Sequence, residues 1–172
     1  MFGMNTGPEY LQMLQLEKKT GKTLNNKIPN NLADGPSKFS MKHFLRKTFK
    51  HIQRYFYNFQ YRNNQSEVVF LMIGGEGPQD IGWVSYENYP FVSWAKEFGA
   101  MMFTLEHRFY GESRPTPNQS VKNLRYLSSR QALEDIKYFI ECMNAKYRLK
   151  NPKWIAFGGS YPGTYLETLL IT

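Results

Sequence analysis

Apolar positions along the chain fall into three continuous runs and two helical stripes, with polar segments between them. Val68-Val69-Phe70-Leu71-Met72-Ile73 is apolar on both faces and ends in Gly74-Gly75. A run of that length with no alternation predicts a strand buried on both sides, as in a central parallel sheet. Ala100 to Leu105 predicts a second buried strand, and Trp154-Ile155-Ala156-Phe157 a third, shorter one. Between the first two, Phe91, Trp94, Ala95 and Phe98 recur at helical spacing and Gly99 closes the helix. Between the second and third, Ala132, Leu133, Ile136, Phe139, Ile140, Met143 and Tyr147 trace one face of a long helix. Ser128 with Gln131 forms a capping box at its start, and Pro152 separates it from the last strand. A third apolar stretch, Thr164 to Ile171, can start another helix. Strand, helix, strand, helix, strand, helix in that order predicts an α/β fold with a mostly parallel sheet, flanking helices and right-handed crossovers.

Two parts lie outside this pattern. Residues 1–36 are polar, rich in Asn, Lys and Gly, and end in Asp34-Gly35-Pro36; they read as a mobile leader with one marginal helix at Glu9–Lys19. Residues 37–172 then form the folded unit. From Phe39 to Tyr61 aromatic and basic residues alternate, and Arg54–Arg62 carries the aromatic enrichment of a strand.

Charge divides along the same boundary. The formal net charge is +8, and residues 1–62 hold eleven Lys/Arg against three Asp/Glu, so the excess lies wholly in the N-terminal third. Residues 38–62 contain seven Lys/Arg and no acid. That run reads first as an N-terminal hairpin with a solvated basic face; a nucleic-acid patch is the weaker reading, because the rest of the chain is neutral. No apolar run approaches the eighteen residues of a membrane span, so no membrane partner is expected. Met1 to Asn30 shows none of the three parts of a secretory signal. Cys142 is the only cysteine and sits at an apolar helical position, so an internal disulfide is excluded and a small buried hydrophobe expected. His43, His51 and His107 do not show metal spacing, and neither a metal nor a cofactor is expected.

The candidate chemistry lies where strands end. Gly158-Gly159-Ser160-Tyr161-Pro162-Gly163 follows the third strand and precedes a helix. A serine between glycines at a strand-to-helix turn is how α/β-hydrolases expose a nucleophile, with one oxyanion donor from the next residue and another from the loop after an earlier strand. Ser160 is the candidate nucleophile and the N–H of Tyr161 a candidate oxyanion donor. The loop Gly74-Gly75-Glu76-Gly77-Pro78 supplies the second donor, at Gly75 or Glu76; read alone it is a plain Gly/Pro turn, and it lacks the lysine and following Ser/Thr of a phosphate-binding loop. The generic elbow has glycine two positions after the serine, where Pro162 stands here. Glu106 and Arg108, at the end of the second strand, would share a face on a continuing strand and read as a structural ion pair. His107 is not expected to be the base, since in this fold the histidine follows serine and acid in chain order. After Ser160 there is no Asp or His, and the only carboxylate is Glu167. Asn64-Gln65-Ser66 and Asn118-Gln119-Ser120 make Asn64 and Asn118 glycosylation candidates.

Five ordered stretches carry a family resemblance: Arg54-Tyr55-Phe56-Tyr57-Asn58, Ile73 to Pro78, Leu105 to Ser113, Leu124 to Leu133, and Phe157 to Gly163. Over residues 39–172 the chain resembles the serine peptidases of the lysosomal Pro-Xaa carboxypeptidase, dipeptidyl peptidase II and thymus-specific serine protease family, whose elbow reads Gly-Gly-Ser-Tyr-Pro-Gly or close to it. Met41-Lys42-His43-Phe44 departs from the family's usual Leu-Asp-His-Phe. The resemblance implies an α/β-hydrolase core with a helical cap inserted after the elbow. It also implies acyl transfer through Ser160, a peptide substrate with proline near the scissile bond, dimers in some members, and a secreted or lysosomal location. The family's Asp, His and cap have no counterpart in this sequence, so the chain is expected to be the N-terminal part of such an enzyme and nearly inactive alone. The alternative is a non-catalytic short form that binds peptides or protein partners.

Overall fold

The computed structural model describes residues 37–42 and 50–169. The leader at 1–36, its candidate helix Glu9–Lys19, and His43 and Phe44 lie outside the described residues. Among the described residues, five strands form one sheet: β1 (Ser37–Lys42), β2 (Lys50–Asn58), β3 (Val68–Ile73), β4 (Met101–Leu105) and β5 (Lys153–Phe157), in the order β1-β2-β4-β3-β5. β2 is antiparallel to both neighbours, whereas β4, β3 and β5 are mutually parallel, so four strands share one direction. Leu71 lies opposite Phe103 on one side and Ala156 on the other, which places the continuous apolar run of β3 in the middle of the parallel part. The basic-aromatic segment pairs as the hairpin the sequence predicts. Its second strand, however, ends at Asn58 rather than Arg62, because Asn58 Oδ1 accepts the N–H of Gln60 and Arg62 N closes a turn onto Phe59 O.

Strand pleating explains why the runs are apolar throughout. Val69, Leu71, Ile73, Met101, Phe103, Leu105 and Tyr55 point to one face, and Phe70, Met72, Met102 and Phe56 to the other. The first set packs on α4 (Ser129–Tyr147) through Ala132, Ile136, Phe139, Cys142 and Met143. The second packs on α1 (Gly82–Ser85) and α2 (Pro90–Phe98) through Val84, Phe91, Val92 and Ala95. The result is three layers, helix on sheet on helix, each face burying its own core. A short helix α3 (Val121–Leu124) precedes α4, and α5 (Tyr161–Leu169) follows β5.

Local signals set the helix ends. Ser128 Oγ accepts the Gln131 N–H at 3.4 Å, as the capping pattern predicts, and Gly99 closes α2 at φ +59°. The predicted stripe of α4 faces the core, but two residues of the α2 stripe do not bury: Trp94 and Phe98 are 46% and 55% exposed. Trp94 stacks on Phe157 of β5, at the edge of the described sheet, and so has a covered ring face and an open one. The same position leaves Ile155 of β5 44% exposed.

Candidate active site

The site is built at the carboxyl ends of β3, β4 and β5, the edge where open α/β sheets hold their ligands. β5 ends at Phe157, α5 begins at Tyr161, and Ser160 between them is exposed with φ +55°. A non-glycine residue in the left-handed region costs of order 1–3 kcal/mol and persists only where the surroundings impose it. Here the imposing contact is tight packing behind the serine. A Cβ on Gly158 would lie 2.9 Å from the backbone carbon and oxygen of Pro162, so only glycine lets the strand end pass that close to the first helical turn. The carbonyl of Ser160 accepts the N–H of Gly163 at 2.9 Å, closing that turn.

Pro162 is buried, and its ring lies against the Gly74–Pro78 loop: a Cβ on Gly75 would stand 3.2 Å from Pro162 Cγ. The departure from the generic elbow thereby finds its physical reason. The bulk sits at 162, and the missing side chains at Gly158 and Gly75 make room for it. The arrangement also brings the Gly74–Pro78 loop and the elbow into contact, so the two candidate donor sources are neighbours. Tyr161 is the first residue of α5, where N–H groups have no intrahelical acceptor and the helix dipole is positive.

Three residues at the end of β4 frame the site. Glu106 and Arg108 are both fully buried, yet they do not pair with each other. β4 ends at Leu105, so the chain turns away before the two side chains could share a face. The Glu106 carboxylate takes Arg54 (Nε at 3.0 Å, and Nη2), the N–H groups of Gln79 and Glu112 at 3.0 Å each, and Ser113 Oγ at 2.6 Å. Gly111, at φ +52°, faces this carboxylate so closely that a Cβ there would occupy its space. Arg108 forms a two-pronged ion pair with Asp135 of α4, Nε–Oδ2 2.6 Å and Nη2–Oδ1 2.8 Å, and its Nη1 donates to Tyr126 O and to Gln131. His107 between them is buried, with Nδ1 2.8 Å from the Arg108 carbonyl and its ring edge-on to Tyr110 and Tyr161. Burial holds its pKa below the usual imidazole value, although the Arg108 carbonyl and the Asp135 and Glu76 charges oppose this. Burial likewise raises the Tyr110 phenol, with Glu76 and Tyr161 adding to it. His107 is thus a packed neighbour of the residue after Ser160.

Sequence reasoning names Ser160, Tyr161, Gly75 and Glu76 as candidates, which lie together at this edge, and does not name Asp135 or Gln79. Asp135 had a readable signal: it lies three positions after Ala132 and four before Phe139, within the apolar stripe of a helix. The candidate glycosylation residues Asn64 and Asn118 are both exposed, and Asn118 Oδ1 accepts the Ser120 N–H and Asn123 Nδ2.

Comparison with known families matches residues 40–169 to the model of serine carboxypeptidase S28. The chain belongs to this serine peptidase family. Among its relatives, mouse thymus-specific serine protease is 42% identical over 120 residues, covering 69% of this chain and 23% of that protein. Human lysosomal Pro-X carboxypeptidase is 36% identical over 121 residues, covering 68% of this chain and 24% of that protein. The chain therefore spans less than a quarter of the length of either. Among solved structures, the Pyrococcus furiosus esterase Pf2001 aligns with 83% of this chain and 47% of its own, at 14% identity and a TM-score of 0.45. The family membership and the observed layers agree with the α/β-hydrolase class expected from the elbow.

Proposed function

We propose that this chain carries the nucleophile and oxyanion hole of a proline-directed serine exopeptidase, with the acid and histidine of its triad supplied by residues beyond Thr172. The observation that carries the reading is Ser160 itself: exposed, held at φ +55° between a parallel strand and a helix N-terminus. In this reading Ser160 Oγ attacks the scissile carbonyl and loses its proton to the histidine acting as general base. The carbonyl oxygen, becoming an oxyanion, accepts the N–H of Tyr161 and that of Gly75 or Glu76. One such donor is worth about 2.7–4 kcal/mol of transition-state stabilisation. The tetrahedral intermediate then collapses: the scissile C–N bond breaks, the histidine gives its proton to the leaving amine, and the acyl-enzyme remains. Water, deprotonated by the histidine, attacks the ester, the acid product leaves, and Ser160 Oγ recovers a proton.

Family membership and the name of the human relative, a Pro-X carboxypeptidase, support a substrate with proline near the scissile bond. Release of a carboxy-terminal residue after proline is the first choice; removal of an amino-terminal dipeptide ending in proline is the alternative. Two chain lengths test the proposal against peptides of both kinds. A chain of the relatives' full length that carries these residues should cleave one of them and lose all turnover on Ser160→Ala. The 172-residue chain alone should show almost none, since without a base only binding and oxyanion effects remain. Ser160-dependent turnover by the short chain would contradict the division of the triad.

A further inference from the structure

The loop that offers the second oxyanion donor is held at two points by the end of β4, with Arg54 of β2 adding to the second. At its start, Gly74 N–H donates to the Leu105 carbonyl at 2.8 Å, and a Cβ on Gly74 would meet that oxygen at 2.8 Å. At its far end, Gln79 is fixed three times: its N–H donates to Glu106 Oε1 at 3.0 Å, its carbonyl accepts Arg54 Nη2 at 3.2 Å, and its side-chain amide donates to Thr104 Oγ1. Gly75 and Glu76 lie between these anchors, with Gly75 against Pro162 of the elbow. The consecutive residues Thr104, Leu105 and Glu106 therefore set where the donors sit relative to Ser160.

We propose that Glu106 is a positioning residue for the oxyanion loop, acting through Gln79 on Gly75 and Glu76; this rests on the reading of Ser160 as nucleophile. The chemistry requires an ionised carboxylate. Oε1 serves Arg54 and Gln79, while Oε2 serves Glu112 and Ser113. All of these are donors, and an ionised carboxylate has about four acceptor sites and no hydrogen to give. Glutamine at 106 fits the same volume but points an NH2 at one pair of donors. On the Oε1 side that releases Gln79, while on the Oε2 side it releases the 111–113 loop that closes over the same carboxylate. A donor displaced by a fraction of an ångström loses its bond to the transition state more than any bond to the ground state.

The test measures kcat and KM on a proline-containing peptide for an active chain of the relatives' full length that carries these residues, in Ser160→Ala, Glu106→Gln and Thr104→Val. Glu106→Gln should lower kcat about 10- to 100-fold with KM within about twofold, the signature of an interaction made only in the transition state. Thr104→Val keeps the carboxylate and the side-chain volume but frees the Gln79 amide, and should lower kcat about 3- to 10-fold with KM again unmoved. If Glu106→Gln fails to fold, Thr104→Val decides alone. Unchanged kcat in the folded variants, or a rise in KM at constant kcat, overturns the positioning role and leaves Ser160 untouched. Activity that survives Ser160→Ala overturns the nucleophile reading and this assignment with it.

Discussion

The buried ion pair between Arg108 and Asp135 offers the sharpest test of how the site is held. Arg108 is 0% exposed and Asp135 1%, joined by bonds of 2.6 and 2.8 Å. Asp135→Leu removes the counter-charge and leaves a guanidinium in the interior with only Tyr126 O and Gln131 as partners. Leaving one member of a buried pair uncompensated costs about 3–5 kcal/mol. A domain has about 5–15 kcal/mol in total, so this single change takes roughly a fifth or more of it. Arg108→Met should also destabilise, because it removes the guanidinium that makes the two-pronged pair with the Asp135 carboxylate. The double variant Arg108→Met/Asp135→Leu strands no charge and loses chiefly the partners of Tyr126 O and Gln131, a cost of about 1–3 kcal/mol. The two changes should therefore fall short of additivity by at least about 3 kcal/mol. Urea unfolding of the purified chain, followed by the fluorescence of Trp83, Trp94 and Trp154, measures all four corners of the cycle. A single variant costing under about 1 kcal/mol, or singles and double additive within about 0.5 kcal/mol, would refute the argument.

Other perturbations follow from the same contacts. Gly111→Ala puts a methyl group into the Glu106 carboxylate at a φ that L side chains rarely adopt, so it should destabilise by more than about 3 kcal/mol in the same urea assay, whereas Gly77→Ala, which meets nothing within 4 Å, should change stability by under about 1 kcal/mol. Phe139→Ala empties the centre of the α4 face, where the ring meets Tyr55, Phe103 and Trp154, and should cost about 3–5 kcal/mol. His107 is held below its ordinary pKa by burial, so the unfolded chain binds a proton that the folded chain refuses. Stability should then fall as pH drops below about 6.5, towards the lowered native value. His107→Phe should flatten that part of the melting temperature against pH curve, and a curve unchanged by the substitution would exclude His107 as its source.

What sequence reasoning recovers depends on the range of the forces involved. β3, β4 and α4 are legible because a strand buried on both faces, or a helix with one apolar stripe, shows its environment in consecutive residues. The elbow is legible because its geometry needs glycine at 158 and a small exposed residue, Ser160, two positions later, all within one turn. The polar scaffold behind it is not. Glu106 meets Arg54 from 52 residues away, and Arg108 meets Asp135 from 27 residues away. No local periodicity encodes such partners, and the spacing of Glu106 and Arg108 suggests instead that they pair with each other. Pro162 shows the same limit. As a letter it breaks the elbow pattern, and only the empty positions at Gly75 and Gly158 show how it fits.

Covalent capture decides the central claim most directly. Native protein treated with a fluorophosphonate, digested, and mapped by mass spectrometry should carry the label on the peptide containing Ser160, with labelling abolished in Ser160→Ala. Label on a different serine, or none on protein that turns over substrate, would contradict the assignment of Ser160 as the nucleophile.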